Sequence, residues 1–305
     1  ALWKQDKFQL HAVVIVLFLV TKSLNLSVLG TEGQRLAGFL FNPNAYGMSL
    51  LCALAIMFGV GGQLFRHISA ASLGALCGLL AAGILFTRSI GALVGFVAIC
   101  LVVFVVRRKM MPMVRIVVLS LVFYSIPPVL SYFGDMLGMT AGKLESSIMN
   151  KLADPDFHGQ TLSARLQSNR RALSMWSDEP LLGAGLGVFY AKEKAAIAGQ
   201  KKKKALQIHN TVLWILAELG LVGFVAFGAL FSTAALFLVR QRQVFHSLDP
   251  PLSDFAFTGL LILCAWSVMS LVHEVMYQRV PWIMTGLIVG ILLSTTSARG
   301  PAEAS

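Results

Sequence analysis

Lys201-Lys202-Lys203-Lys204-Ala205-Leu206-Gln207-Ile208-His209-Asn210-Thr211 leads directly into Val212-Leu213-Trp214-Ile215-Leu216-Ala217-Glu218-Leu219-Gly220-Leu221-Val222-Gly223, the start of a long apolar run. A cationic tract and a titratable imidazole stand where the chain leaves water for lipid. Ionisable groups at such a boundary face a cavity or a partner. Thr211, Trp214 and Glu218 are spaced i, i+3, i+7 and share one helix face, whereas the spacing of His209 and Glu218 sets them about half a turn apart. These two residues therefore do not pair on one helix. Each is expected to find its partner elsewhere in the chain.

Of the 305 residues, 56% are hydrophobic and 13% are charged, about half the charge of a soluble domain. The composition excludes a soluble globular class and predicts an all-α, polytopic helical membrane protein. Eight apolar runs are long enough to cross a hydrocarbon core of about 30 Å: 9–29, 44–65, 69–87, 90–106, 112–133, 210–239, 254–273 and 280–297. The sixth is longer than one crossing needs, so its first residues stand outside the bilayer or the helix tilts. Gly74, Gly78 and Gly83 in the third run suit close helix packing. The expected organisation is five N-terminal spans over 1–134, a long loop over 135–208, and three C-terminal spans over 209–305. The chain opens on Ala1 with no cleavable signal before the first span, which reads as the C-terminal part of a longer protein.

Short loops set the orientation. Lys4, Lys7, Arg66, Arg107, Arg108, Lys109, Arg115, Arg240, Arg242 and Arg299 fall on one side, against Arg35, Arg88 and Arg279 on the other. The positive-inside rule makes the first side cytoplasmic. The 135–208 loop, His209 and the His273-Glu274 turn then face outward, together with Arg35 and Arg88. A transporter places its polar residues near the midplane; gathered at the outer mouth, they favour surface chemistry on a lipid-borne substrate. The net charge of +11 suits anionic lipid or phosphate. It is spread around membrane segments rather than along one soluble face, which argues against nucleic acid. Cys52, Cys77, Cys100 and Cys264 all lie in apolar runs, where they are placed for neither a disulfide nor a zinc site in water-exposed segments.

Within the loop, Leu162, Leu166, Leu173 and Trp176 form an apolar stripe at helical spacing, with Arg165, Arg170 and Arg171 beside or across from it. This reads as a helix resting on the outer leaflet with guanidinium groups available to phosphate. Asp178-Glu179-Pro180 ends it, and Leu181-Leu182-Gly183-Ala184-Gly185-Leu186-Gly187 makes a tight glycine-rich turn. No strand precedes these glycines, so a nucleotide-loop reading is poor. Asp154-Pro155-Asp156 has the Asp-x-Asp spacing of metal-dependent glycosyltransferases, but its central proline fits a loop turn at least as well.

Four stretches together resemble the O-antigen ligase and polymerase family of bacterial surface-glycan enzymes. Arg35-Leu36-Ala37-Gly38-Phe39-Leu40-Phe41-Asn42-Pro43-Asn44 is similar to the family's opening of a span. Thr87-Arg88-Ser89 before an apolar helix is similar to its serine-arginine segment, with the usual order altered. Ser163-Ala164-Arg165-Leu166 through Trp176 to Pro180-Leu181-Leu182-Gly183-Ala184-Gly185 is similar to its loop pattern. His209-Asn210-Thr211 through Glu218-Leu219-Gly220-Leu221-Val222-Gly223 is similar to its His-Asn helix. Their order, with a long loop before the His-Asn helix, carries the resemblance over about 35–223.

The resemblance implies a glycosyltransferase, independent of metal and cofactor, in the bacterial inner membrane. It would move a glycan from undecaprenyl diphosphate to an acceptor hydroxyl at the periplasmic face. Arginines stabilise the charge that grows on the diphosphate leaving group, a role that falls to Arg88 and Arg165, with Arg35 third. His209 suits the base that orients or deprotonates the acceptor. Asn210 beside it, Arg170 and Arg171 complete the substrate contacts. Glu218 either builds the cavity or pairs with an Arg or His from another span. Rival readings attach to each: an arginine at a span end also anchors to lipid phosphate, His209 also caps an interfacial helix, and His273-Glu274 is a second base pair. The acceptor is expected to be lipid A–core, which makes a ligase. A polymerase of repeat units and a protein O-glycosylation ligase share the chemistry, and a non-catalytic glycolipid transporter or flippase is the reading from another class.

Overall fold

The computed structural model describes residues 31–32, 35–36, 42–108, 114–122, 125, 155–196, 198 and 207–299; of 31–32, 35–36, 155–162 and 298–299 only backbone is described. The expected span 9–29, the lysine tract 201–204 and much of 112–133 lie outside them. The described chain is helical apart from a two-residue antiparallel pair, Thr31–Glu32 (β1) with Arg35–Leu36 (β2). The helices are Pro43–Gly59 (α1), Gly61–Leu64 (α2), Ala70–Thr87 (α3), Ile90–Arg107 (α4), Pro155–Asp178 (α5), Val188–Ala196 (α6), Thr211–Leu248 (α7), Pro250–Ser270 (α8) and Arg279–Arg299 (α9). Five of them, α3, α4, α7, α8 and α9, are long and apolar enough to cross a membrane, and α1 is a shorter apolar helix. The all-α, multi-pass reading holds; the count of eight also draws on runs outside the described residues.

Two compact units divide the chain. One takes in Ala1–Pro127, Ala234–Met269 and Gln278–Ser305; the other takes in Pro128–Thr233 and Ser270–Tyr277. Helix α7 contributes to both.

The first unit is organised around α1. Asn42 caps it: its side-chain oxygen accepts from the N–H groups of Asn44 (2.9 Å) and Ala45 (3.2 Å), and Pro43 occupies the first turn. The Asn42-Pro43-Asn44 motif is thus a helix start whose first N–H groups are satisfied. Almost every residue of α1 is buried, as expected for a helix apolar on all sides. Only Arg88 and Ser89 join α3 to α4, so the connection must turn sharply. Arg88 adopts the left-handed conformation at φ 49°, Thr87 Oγ1 donates to the Ile84 carbonyl, and Ser89 caps α4 through the Ala92 N–H. Of the three glycines singled out in this span, Gly78 makes the closest approach: a Cβ there would stand 2.6 Å from Leu119 Cβ. At the other end of α4, Arg107 donates to the Gly59 carbonyl and to Asp254 (both 2.9 Å), and Asp254 also accepts from Gln63 (2.8 Å). Arg107 and Arg242 both lie over the Phe257 ring.

The second unit packs α5, α6 and the beginning of α7 around Ala172, Met175, Phe189, Ile208, Trp214, Ile215 and Ala217. Its buried face on α5 is Ser168, Ala172 and Met175, whereas Leu166 and Leu173 of the stripe visible in the sequence are exposed.

Candidate functional site

The site of the second unit begins with a broken helix. Gly220 interrupts α7 at φ 64°, ψ −164°, and the break frees carbonyls on one side and N–H groups on the other. The glycine-rich turn satisfies both sets. Ala184 and Gly185 donate to the Ala217 and Glu218 carbonyls (3.0 and 2.9 Å), while Leu221 and Val222 donate to those of Pro180 and Leu181 (2.9 and 3.1 Å). Gly183, Gly185 and Gly187 all have positive φ, as a turn this tight requires. A Cβ on Gly183 would stand 2.5 Å from backbone atoms of Glu218 and Gly220, and one on Gly220 would overlap the Leu181 carbonyl.

Glu218 holds the same junction from inside. Its buried carboxylate accepts from the N–H groups of Gly187 (2.8 Å) and Phe189 (3.1 Å), at the start of α6, where a helix favours negative charge. The partner that Glu218 needed is therefore backbone, neither Arg nor His. The face that Glu218 shares with Thr211 and Trp214 is buried at all three positions. Arg171 is committed as well: its Nη1 pairs with both carboxylate oxygens of Glu193 (2.5 and 2.7 Å), tying α5 to α6.

His209 and Asn210 precede α7. Asn210 caps the helix by accepting from the Leu213 N–H (3.0 Å), and its amide donates to the Leu271 carbonyl (2.7 Å). Thr211 Oγ1 donates to the His273 carbonyl (2.8 Å) and accepts from the Val275 N–H (3.0 Å). This grip lays the turn 271–275 along the start of α7 and stacks His273 on His209, with ring centroids 5.8 Å apart and planes 25° apart. The partner of His209 thus comes from a segment that the sequence offered only as a rival base pair. In the same turn, Tyr277 meets Trp214 edge-on. Burial, followed by the nearby Glu218 charge, pushes Glu274 up to about 7.

Arg165 lies on α5 at the spacing of its buried face, one turn before Ser168. Burial first, and the positive charge of Arg165 second, hold the His209 imidazole below its ordinary value. It is neutral at neutral pH and can accept a proton. Arg165 Nε, Asn169 Oδ1 and His209 Nδ1, all in this unit, are buried without a hydrogen-bond partner among the described residues. Buried polar atoms are normally paired, so these atoms call for a partner outside the described residues. Asn169, one turn after Arg165, was not picked out from the sequence; a lone Asn in a helix carries no signal. Arg170 is exposed on the same helix. Arg88 is exposed and belongs to the first unit, as does Arg35, of which only the backbone in β2 is described. Among the described residues no three His, Cys, Asp or Glu side chains cluster to hold a metal; the side chains of Asp154 and Asp156 lie outside them.

A multi-pass helical membrane protein in which an arginine with a buried Nε, on α5, lies near a neutral imidazole at the entrance of a broken span is the class these features define. Within that class the chain belongs to the O-antigen ligase family, which it matches over residues 75–228, half of its length. The match runs from α3 past the Gly220 break and takes in Arg88, Arg165, His209, Asn210 and Glu218. It stops short of the 271–275 turn. No curated protein matches the chain.

Proposed function

We propose that the protein is a glycosyltransferase of the bacterial inner membrane. It takes a glycan from undecaprenyl diphosphate at the periplasmic face and joins it to a hydroxyl of lipid A–core. The acceptor oxygen attacks the anomeric carbon, the bond from that carbon to the diphosphate oxygen breaks, and its electron pair leaves on undecaprenyl diphosphate. His209 takes the hydroxyl proton. Arg165 neutralises the charge that develops on the leaving group, a task suited to a permanently charged guanidinium. Arg88, Arg35 and Arg170 are further candidates for the diphosphate, and Asn210 positions His209 through the helix cap. Metal enters none of these steps.

The observation that carries this reading is the conjunction, in one unit, of Arg165 Nε and His209 Nδ1, both buried without a hydrogen-bond partner among the described residues, with the guanidinium close enough to depress the imidazole. The test is a vesicle assay with labelled undecaprenyl-diphosphate glycan and lipid A–core. A new glycosidic linkage to lipid A–core supports the ligase. Linkage only between repeat units, or only to protein, reassigns the acceptor to the polymerase or protein-ligase alternative. Movement between leaflets without linkage overturns the enzyme in favour of a transporter.

A further inference from the structure

We propose that the glycine-rich turn is seated in lipid: Leu181, Leu182 and Leu186 enter the membrane leaflet beside the Gly220 break and fix how far the Arg165–His209 site stands from the acyl chains. By position in the sequence this turn belongs to a water-exposed loop. Its side chains contradict that placement. Leu181, Leu182 and Leu186 are 64%, 72% and 68% exposed, three large apolar groups within six residues. The backbone holds them there, because the four hydrogen bonds to α7 and the left-handed glycines leave the turn no room to fold inward.

The depth of the turn follows from α7. From Leu219 to Val239 the chain carries no charged residue, and Arg240 closes the stretch. At 1.5 Å per residue that is about 31 Å, one hydrocarbon thickness. The Gly220 break therefore stands at a membrane surface, and the turn bonded to it stands at the same level. Leu221 and Val222, whose N–H groups the turn accepts, are themselves 45% and 58% exposed. The leucines extend the lipid-facing surface of a spanning helix rather than form an isolated patch. The helices on either side of the turn carry exposed Arg170 and Lys192, cations that suit phosphate headgroups above buried leucines. The occupant is thus phospholipid. From the break back to the cap at Asn210 the helix measures about 15 Å, which sets the reach from the acyl boundary to His209.

An environment-sensitive fluorophore on a single cysteine, in the full chain with its four native cysteines replaced and reconstituted in phosphatidylglycerol–phosphatidylethanolamine vesicles, tests this. The sites are Leu182→Cys, Val225→Cys as the reference within the span, and Lys194→Cys as the reference in water. All three are exposed, so labelling does not threaten the fold. At 182 we expect blue-shifted emission and quenching by lipids spin-labelled near the headgroup end of the chain, as at 225, with protection from aqueous iodide. Iodide quenching as strong as at 194 would overturn the proposal. Protection from both quenchers would overturn it too, because the turn would then be covered by protein.

Discussion

Two arginines of this chain sit in opposite circumstances. Arg107, in the first unit, spends its guanidinium on the Gly59 carbonyl, Asp254 and the face of Phe257. Arg165, in the second, keeps a buried Nε without a hydrogen-bond partner among the described residues beside an imidazole in the same condition. A satisfied cation ties helices together. An unsatisfied one in a buried setting costs free energy, a cost that the diphosphate would offset in the reaction we propose. The difference separates scaffold from the proposed site more sharply than residue type does, since both are arginines on helices.

The largest expected effect is on chemistry. Arg165→Gln and His209→Gln should each reduce glycan transfer in vesicles by about 10²–10⁴-fold while the protein remains inserted; unchanged turnover in both would dissolve the contrast. Next comes the broken helix. Gly220→Ala forces a left-handed alanine against the Leu181 carbonyl, at a cost on the order of 2 kcal/mol, and should release the turn. Faster amide exchange at Leu221 and Val222 would register it, and unaltered exchange would contradict it. On the scaffold side, Asp254→Ala removes a partly exposed ion pair and should cost about 1 kcal/mol, read as a lower melting temperature with transfer per folded molecule preserved.

The smallest effect concerns protons. His209 is depressed, so its neutral form persists as pH falls through its ordinary value of about 6.5. Its modification by diethyl pyrocarbonate, which needs the neutral ring, should have a midpoint below that value. Arg165→Gln should raise the midpoint only part of the way, because burial is the larger cause. A midpoint that ignores Arg165 would separate the two residues.

Much of the framework was legible in the sequence because apolar length and capping residues are local signals. The apolar runs 69–87 and 90–106 fall on α3 and α4. The end of α5 follows from Asp178-Glu179-Pro180, and the tight turn from its three glycines. What stayed hidden is non-local or lacks a signature. The buried face of α5 consists of Ser168, Ala172 and Met175, which a search for leucines passes over in favour of Leu166 and Leu173 on the exposed side. Glu218 finds backbone N–H groups, and no residue type announces those. His273 reaches His209 across more than sixty residues through two hydrogen bonds made by Thr211, a pairing that helical spacing cannot reveal. Arg171 is a cation like Arg170 in sequence, yet Glu193 claims it.

The most direct test of the division between scaffold and site is binding of the leaving group itself. Undecaprenyl diphosphate is titrated onto the full chain in nanodiscs, comparing wild type, Arg165→Gln and Arg107→Gln. Losing a charge-assisted hydrogen bond should weaken binding to Arg165→Gln by about 10–100-fold, with Arg107→Gln indistinguishable from wild type. Equal weakening in both variants, or in neither, would contradict the assignment of Arg165 to the site.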